Sequence, residues 1–343
     1  MSNLWDRQRN ERAKAKKERA RFRSSSNFGS SEAEKSWILE MPPEDARAGV
    51  LVSVHKNKVE VMLDYLIIEG RLAPNVPPRG LKDFAVGDRV WVDGEDEKQV
   101  LILGREARKS SVGRTRGDRT RHASSEWQVL AANVDVGVIT VAIKNPDLHL
   151  QFIDRYLILL QDGGVQPVIC STKGDLSSER PSVLDFYESI GVPVIETSCL
   201  LNRGIDELKA LLLKKVAVFV GQSGVGKSSL IKALDPSLEI ATQAVSPKTG
   251  KGQHTTTKSN LYRWAEDSFI IDTPGTRSLG VEVIPKEQIR FLFPEFFELA
   301  AECKYRDCLH LTEPGCAIKQ ALSNEERVID KRRYESYARM MEE

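Results

Sequence analysis

The spacing of apolar residues divides the chain into stretches of different texture. Residues 1–35 hold almost no apolar positions; they are basic and then serine-rich. Such a segment cannot bury enough surface to fold alone, so residues 1–44 are expected to form a basic mobile arm. It either touches RNA phosphates or is a solvated tail. Over residues 46–104, short apolar stretches are punctuated by turn residues. Gly49–His55 and Val59–Tyr65 read as paired strands around Lys56-Asn57-Lys58, and Val86–Val92 and Gln99–Leu103 continue the pattern. Several short strands of this kind predict a small β-barrel, for which an OB-fold is the economical choice.

From Trp127 the pattern alternates between strand and helix. Val134–Ile143 is a buried strand, Leu148–Leu160 has helical spacing, and Val165–Cys170 is a second strand. Residues 183–190 read as helix, Val192–Glu196 as strand, Ile205–Leu213 as helix and Val216–Val220 as a further buried strand. Alternation of this sort predicts a mostly parallel α/β sheet. The expected fold is therefore multidomain: an N-terminal β-barrel with a basic linker (45–122), a central α/β domain (123–283) and a mainly α C-terminal unit (284–343).

Composition changes this picture little. Apolar residues make up 41% of the 343 and charged residues 29%, ordinary shares for a soluble globular protein. No apolar run approaches the roughly 20 residues of a membrane span, and the N-terminus is charged rather than signal-like. A cytoplasmic protein without a membrane partner is expected. The net charge of +1 identifies no partner, but its distribution is uneven. Arginine and lysine concentrate in the first 23 residues and in Gly104–His122, a segment without apolar periodicity. Beside a barrel that segment is either a nucleic-acid contact or a solvated linker.

Chemistry concentrates at one junction. Gly221, Gln222, Ser223, Gly224, Val225, Gly226, Lys227 and Ser228 match the phosphate-loop pattern between the strand Val216–Val220 and a helix from Ser229 to Leu234. The glycines turn backbone N–H groups toward an anion, and the helix N-terminus adds partial positive charge. Lys227 is expected to reach the outer phosphates and Ser228 to ligate magnesium. After the strand ending at Cys170 come Thr172, Lys173, Gly174 and Asp175. GTPases place Asn-Lys-x-Asp at such a strand end, where the aspartate accepts from guanine N1–H and its amino group and so rejects adenine. Thr172 replaces the usual asparagine. One strand later, Ser198 and Cys199 sit in a loop expected to present N–H to the guanine carbonyl.

Downstream, Phe269–Gly275 runs as a strand into Asp-x-x-Gly, with Asp272 for magnesium and the Gly275 N–H for the γ-phosphate. Between the two, Gly250–Thr257 offers three threonines; Thr256 is the candidate magnesium cap. Four such motifs on one α/β domain make a GTPase the expected class. Their order is permuted: the guanine pair precedes the phosphate loop, which domain termini close together on the surface tolerate. Beyond them, Cys303, Cys308, His310 and Cys316 suit tetrahedral structural zinc. In such a chain this cysteine cluster favours metal over disulfide. Ser323–Glu326 fits a capping box opening a basic helix through Arg339.

An OB-like barrel, a permuted GTPase containing Gly-Gln-His-Thr-Thr-Thr and Cys-x₄-Cys-x-His-x₅-Cys together resemble the YjeQ/RsgA family over residues 45–320. The resemblance implies a GTPase of late small-ribosomal-subunit assembly, stimulated by that subunit, with GTP or GDP, magnesium and one zinc as cofactors. The implied partners are the small subunit and its rRNA, and the chain is expected to act as a monomer. The family has a hydrophobic residue after Asp-x-x-Gly, where Ras-like enzymes keep a glutamine nearby; Thr276 fits neither pattern. His254 is the candidate for positioning the attacking water, with a solvent-facing loop histidine as the alternative. A nucleotide-regulated RNA-binding module with incidental hydrolysis is the rival reading. An ATP-using phosphate-loop enzyme is a second rival, which Asp175 argues against.

Overall fold

The computed structural model describes residues 37–55, 58–74, 76, 80–94, 99–116, 126–238, 259–272, 284–323 and 329–343. The first unit is a closed barrel of β1 (Arg47–Val54), β2 (Val59–Leu63), β3 (Leu66–Leu72), β4 (Arg89–Asp93) and β5 (Gln99–Arg105). The order β1-β2-β3-β5-β4 closes where β4 pairs with β1, and only β3 and β5 run parallel. This is the OB topology expected. Alternate residues point inward: Val59, Val61 and Leu63 of β2 are buried against Leu51, Val90, Val92, Val100 and Ile102. Strand β3 escaped the sequence reading because Leu66 and Ile67 are exposed, so its apolar residues do not alternate.

The basic segment that follows, expected to be either a nucleic-acid contact or a solvated linker, is folded in part. Arg105 lies in β5, 8% exposed, with its guanidinium 4.6 Å from the centre of the Trp37 ring. Arg108 binds the fully buried Asp88 carboxylate with two contacts of 2.7 Å. Neither arginine is presented to a polyanion. Ser111–Arg116 forms β6, antiparallel to β7 (Glu126–Ala132). Residues 117–122 of the predicted basic contact lie outside the described residues.

The central sheet continues with β8 (Val136–Ala142), helix α1 (Leu150–Asp162), β9 (Gln166–Thr172), α2 (Val183–Ser189), β10 (Val194–Glu196), α3 (Ile205–Leu212) and β11 (Val216–Val220). Then come α4 (Lys227–Leu234), β12 (Asn260–Ala265) and β13 (Ser268–Asp272). The strand order is β10-β9-β8-β11-β13-β12, parallel except where β12 meets β13. All of β8 is buried, as a central strand covered on both faces requires. Helices α1 and α2 cover one face, and α3 and α4 the other. The barrel meets this sheet at a bridge between Ser53 and Asn260 and at Tyr65, whose ring carries Arg263 and whose hydroxyl donates to Asp267.

The C-terminal unit holds α5 (Lys286–Ile289), α6 (Phe297–Ala300), α7 (Ala317–Ala321) and α8 (Lys331–Glu342). Phe293, Phe296, Ile318 and Tyr337 share one continuous core with α1 and the sheet. Helix α8 begins later than the sequence suggested. Its N-cap is Asp330, whose carboxylate accepts from the N–H groups of Arg332 and Arg333. Ser323 lies in a turn after α7, and the rest of the supposed capping box is outside the described residues. No helix among the described residues is long and apolar enough to cross a membrane.

Candidate functional site

The phosphate loop joins the C-terminal end of β11 to α4, between β8 and β13, at the edge where open α/β sheets bind ligands. All three of its glycines lie at positive φ, Gly224 at +78°. Gly221 has φ +146°, and a Cβ there would stand 2.3 Å from the Thr140 carbonyl oxygen. Gly226, the N-cap of α4, has φ 97°. Ser223 and Gly224 are exposed at the tip, while Gln222 and Ser228 are half-buried. Lys227 curls back, its Nζ donating to the Gly221 and Gln222 carbonyls at 2.7 and 2.6 Å. The ammonium thus sits over its own loop, where a phosphate oxygen would compete for it. Asp272, at the end of neighbouring β13, feels this charge. Burial raises its carboxyl above the ordinary value and Lys227 pulls it back.

The Thr-Lys-Gly-Asp turn abuts the same loop. The Thr172 hydroxyl reaches the carbonyls of Val141, at 3.1 Å, and of Val225 in the phosphate loop. Lys173, in the left-handed conformation, donates to the Gly224 carbonyl at 2.8 Å and to that of Asn145. Asp175 projects outward. Ser198 Oγ donates to its Oδ1 at 2.6 Å, and chiefly this bond holds the Asp175 carboxyl below the usual range. Cys199 follows as an exposed residue, its thiol raised by burial of the sulfur and by the nearby Asp175. Thr172, Lys173, Gly174, Asp175, Ser198 and Cys199 therefore converge with 221–229 and Asp272 on one edge. Ser229, exposed in the first turn of α4, completes the loop. His254, Thr256, Gly275 and Thr276 lie outside the described residues.

Cys303, Cys308, His310 and Cys316 form a second centre. One ligand atom from each lies within 4.8 Å of the others. His310 Nδ1 is 3.6 Å from Cys303 Sγ and 3.5 Å from Cys316 Sγ. Tetrahedral zinc, with bonds of about 2.3 Å to sulfur and about 2.0 Å to nitrogen, sets such pairs about 3.5 Å apart. Burial pushes the Cys308 thiol up to about 12 and the His310 imidazole down to about 4. The imidazole is therefore neutral, as a ligand must be, and a bound cation would displace the thiol protons. Three N–H groups, of Leu309, Leu311 and Thr312, donate to the Glu313 carboxylate at 2.8, 2.9 and 3.1 Å. Arg290 and Tyr334 grip the loop from outside, through the carbonyls of Cys308 (2.9 Å) and His310 (2.7 Å).

The RsgA GTPase family model matches residues 106–282. A Bacteroides fragilis protein named small ribosomal subunit biogenesis GTPase RsgA is 36% identical over 288 residues, 82% of this chain and 91% of the relative. The chain belongs to the RsgA GTPase family. The crystal structure of YjeQ from Thermotoga maritima is similar, with TM-score 0.68 and 30% identity over 87% of this chain and 98% of that one. So is that of YloQ, titled a circularly permuted GTPase, with TM-score 0.64 and 26% identity over 87% and 95% of the two chains. Membership in the RsgA family makes the chain a GTP hydrolase, with GTP, GDP and magnesium as its ligands. Sequence reasoning missed the residues that brace these RsgA motifs: Asn145, Arg203, Arg290, Glu313 and Tyr334. Only Glu313, inside the cysteine–histidine run, carried any local signal.

Proposed function

We propose that this chain is a GTP-hydrolysing switch of small-ribosomal-subunit assembly, stimulated by that subunit. One observation carries the nucleotide reading: the Thr172 and Lys173 side chains clasp the phosphate loop itself, so base and phosphate determinants form one rigid edge. In this reading Asp175 accepts from guanine, while loop N–H groups and Lys227 hold the phosphates. Ser228, Thr256 and Asp272 would hold magnesium, which would supply neutralisation of phosphate charge. Gly275 senses the γ-phosphate, and His254 orients the attacking water. Cys303, Cys308, His310 and Cys316 would hold zinc, which would supply a structural cross-link.

Residues 45–122 are the rRNA-facing unit, 123–283 the switch and 284–343 the zinc unit, following a basic arm over 1–44. The partner suggested by the relative's name is the small ribosomal subunit, which makes the cytoplasm the place of action. The chain works there as a monomer. Without an evident glutamine beside Asp-x-x-Gly, turnover by the free protein is slow, and the RNA-rich partner orders the machinery. GTP hydrolysis measured with and without purified small subunits, with ATP as control, tests this. At least tenfold stimulation by subunits, with ATP inert, is expected. An unchanged rate at low salt sinks the reading. Nucleotide-dependent RNA affinity with little turnover would favour an RNA-binding module instead.

A further inference from the structure

Arg203 stands behind the Thr-Lys-Gly-Asp turn, 29 residues away in sequence, and three features tie it there. Its Nη2 donates to the Gly174 carbonyl at 3.0 Å. Its backbone exchanges two hydrogen bonds of 3.0 Å with Ser198, the residue whose hydroxyl donates to Asp175. The third is a space: a Cβ on Gly174 would lie 2.4 Å from Arg203 Nη2. The variable position of the motif is thus a glycine where a guanidinium comes in. The Gly174 carbonyl belongs to the peptide plane that also carries the Asp175 N–H. Fixing that plane fixes the Cα from which the carboxylate springs. On the other side Gly174 N–H donates to the Thr197 carbonyl at 3.1 Å, so the turn is held at both ends of one residue.

Resting on the reading of Asp175 as the guanine acceptor, we propose that Arg203 is a positioning residue that sets discrimination for the 2-amino group of guanine. Two parallel acceptor bonds, to N1–H and to the amino group, need the carboxylate at one rotation; a single bond tolerates swing. Hypoxanthine, which lacks the amino group, offers only N1–H. Loosening the turn therefore costs GTP more than ITP. The positive field of Arg203 also favours the ionised carboxylate.

Equilibrium binding of GTP, ITP and XTP to the full chain tests this. Arg203→Met lowers the GTP:ITP affinity ratio roughly fivefold, the loss of about one modest hydrogen bond, with ITP binding unchanged. Gly174→Ala, which evicts the guanidinium without removing it, produces the same fall. Equal weakening of GTP and ITP, or an unchanged ratio, overturns the proposal. Asp175→Asn separates the two levels of the argument. If it fails to turn preference from GTP toward XTP, the guanine reading itself falls. If it succeeds while Arg203→Met leaves the ratio intact, only the role of Arg203 is lost.

Discussion

Asp175 is exposed, yet its Oδ1 is already committed to Ser198 and its backbone turn is pinned on Thr197. A carboxylate held this way offers a fixed acceptor edge rather than a mobile charge. Asp175→Asn presents an N–H₂ where guanine also donates, so GTP affinity falls by roughly two orders of magnitude or more, and XTP gains. Competition binding with the two nucleotides reads this directly; equal GTP affinity in the variant removes Asp175 from the base site. The candidate site residues were legible because most of them lie in contiguous runs: 172–175, 221–228, 303–316. Their supports were not. Arg203 reaches Gly174 across 29 positions, and no spacing rule announces such a contact. Nor does charge alone distinguish Arg108, sunk onto Asp88, from a solvated arginine.

At the scale of elements, α8 is locked to α1 through a buried ionic cluster. The Arg333 guanidinium contacts Asp154 and donates to Glu295 at 2.7 Å, and the Tyr187 hydroxyl donates to Asp154 at 2.6 Å. Against burial, which works the other way, Glu295 and Asp154 hold Arg333 firmly protonated. Removing the cation strands two buried carboxylates. Arg333→Met therefore costs about 3–5 kcal/mol of stability, read as a lowered denaturant midpoint. A loss under about 1 kcal/mol contradicts the cluster's structural role. The sequence predicted α8 as a basic helix but missed its cap, because Ser-Asn-Glu-Glu resembles a helix start more than Asp330 does. Strand β12 was missed for a related reason. Tyr262, Arg263 and Trp264 give no simple alternation, and only pairing with β13 shows the hairpin.

For the whole molecule, the class of fold was legible: a barrel, a permuted α/β domain and a cysteine-rich helical unit all appear in the predicted order. How they join was not, since the joints are made by residues distant in sequence. The Ser53–Asn260 bridge and Tyr65 fasten the barrel to the β12–β13 hairpin, and a shared core fastens the cysteine-rich unit to α1. Zinc removal therefore acts locally. Chelation is expected to raise amide exchange in α8 and in the part of α1 facing it, leaving β1–β5 unchanged, because structural zinc contributes folding energy only to what it braces. Hydrogen exchange with mass detection checks this; equal change in the barrel contradicts it.

The Asp154–Arg333 contact also sets a clock. Its partners are 179 residues apart, and a chain elongates at roughly 5–20 residues per second. Asp154 is thus made roughly 10–35 s before the arginine that neutralises it. Throughout that interval the face of α1 meant for α8 lacks its cover, and the Asp154 carboxylate lacks its cation, though Tyr187 is made early enough to donate to it. The nucleotide-binding sheet can gather its strands in this time, but its outer layer stays unfinished. During synthesis that outer layer is completed only once α8 has been made, so the last helix of the chain closes one of the first.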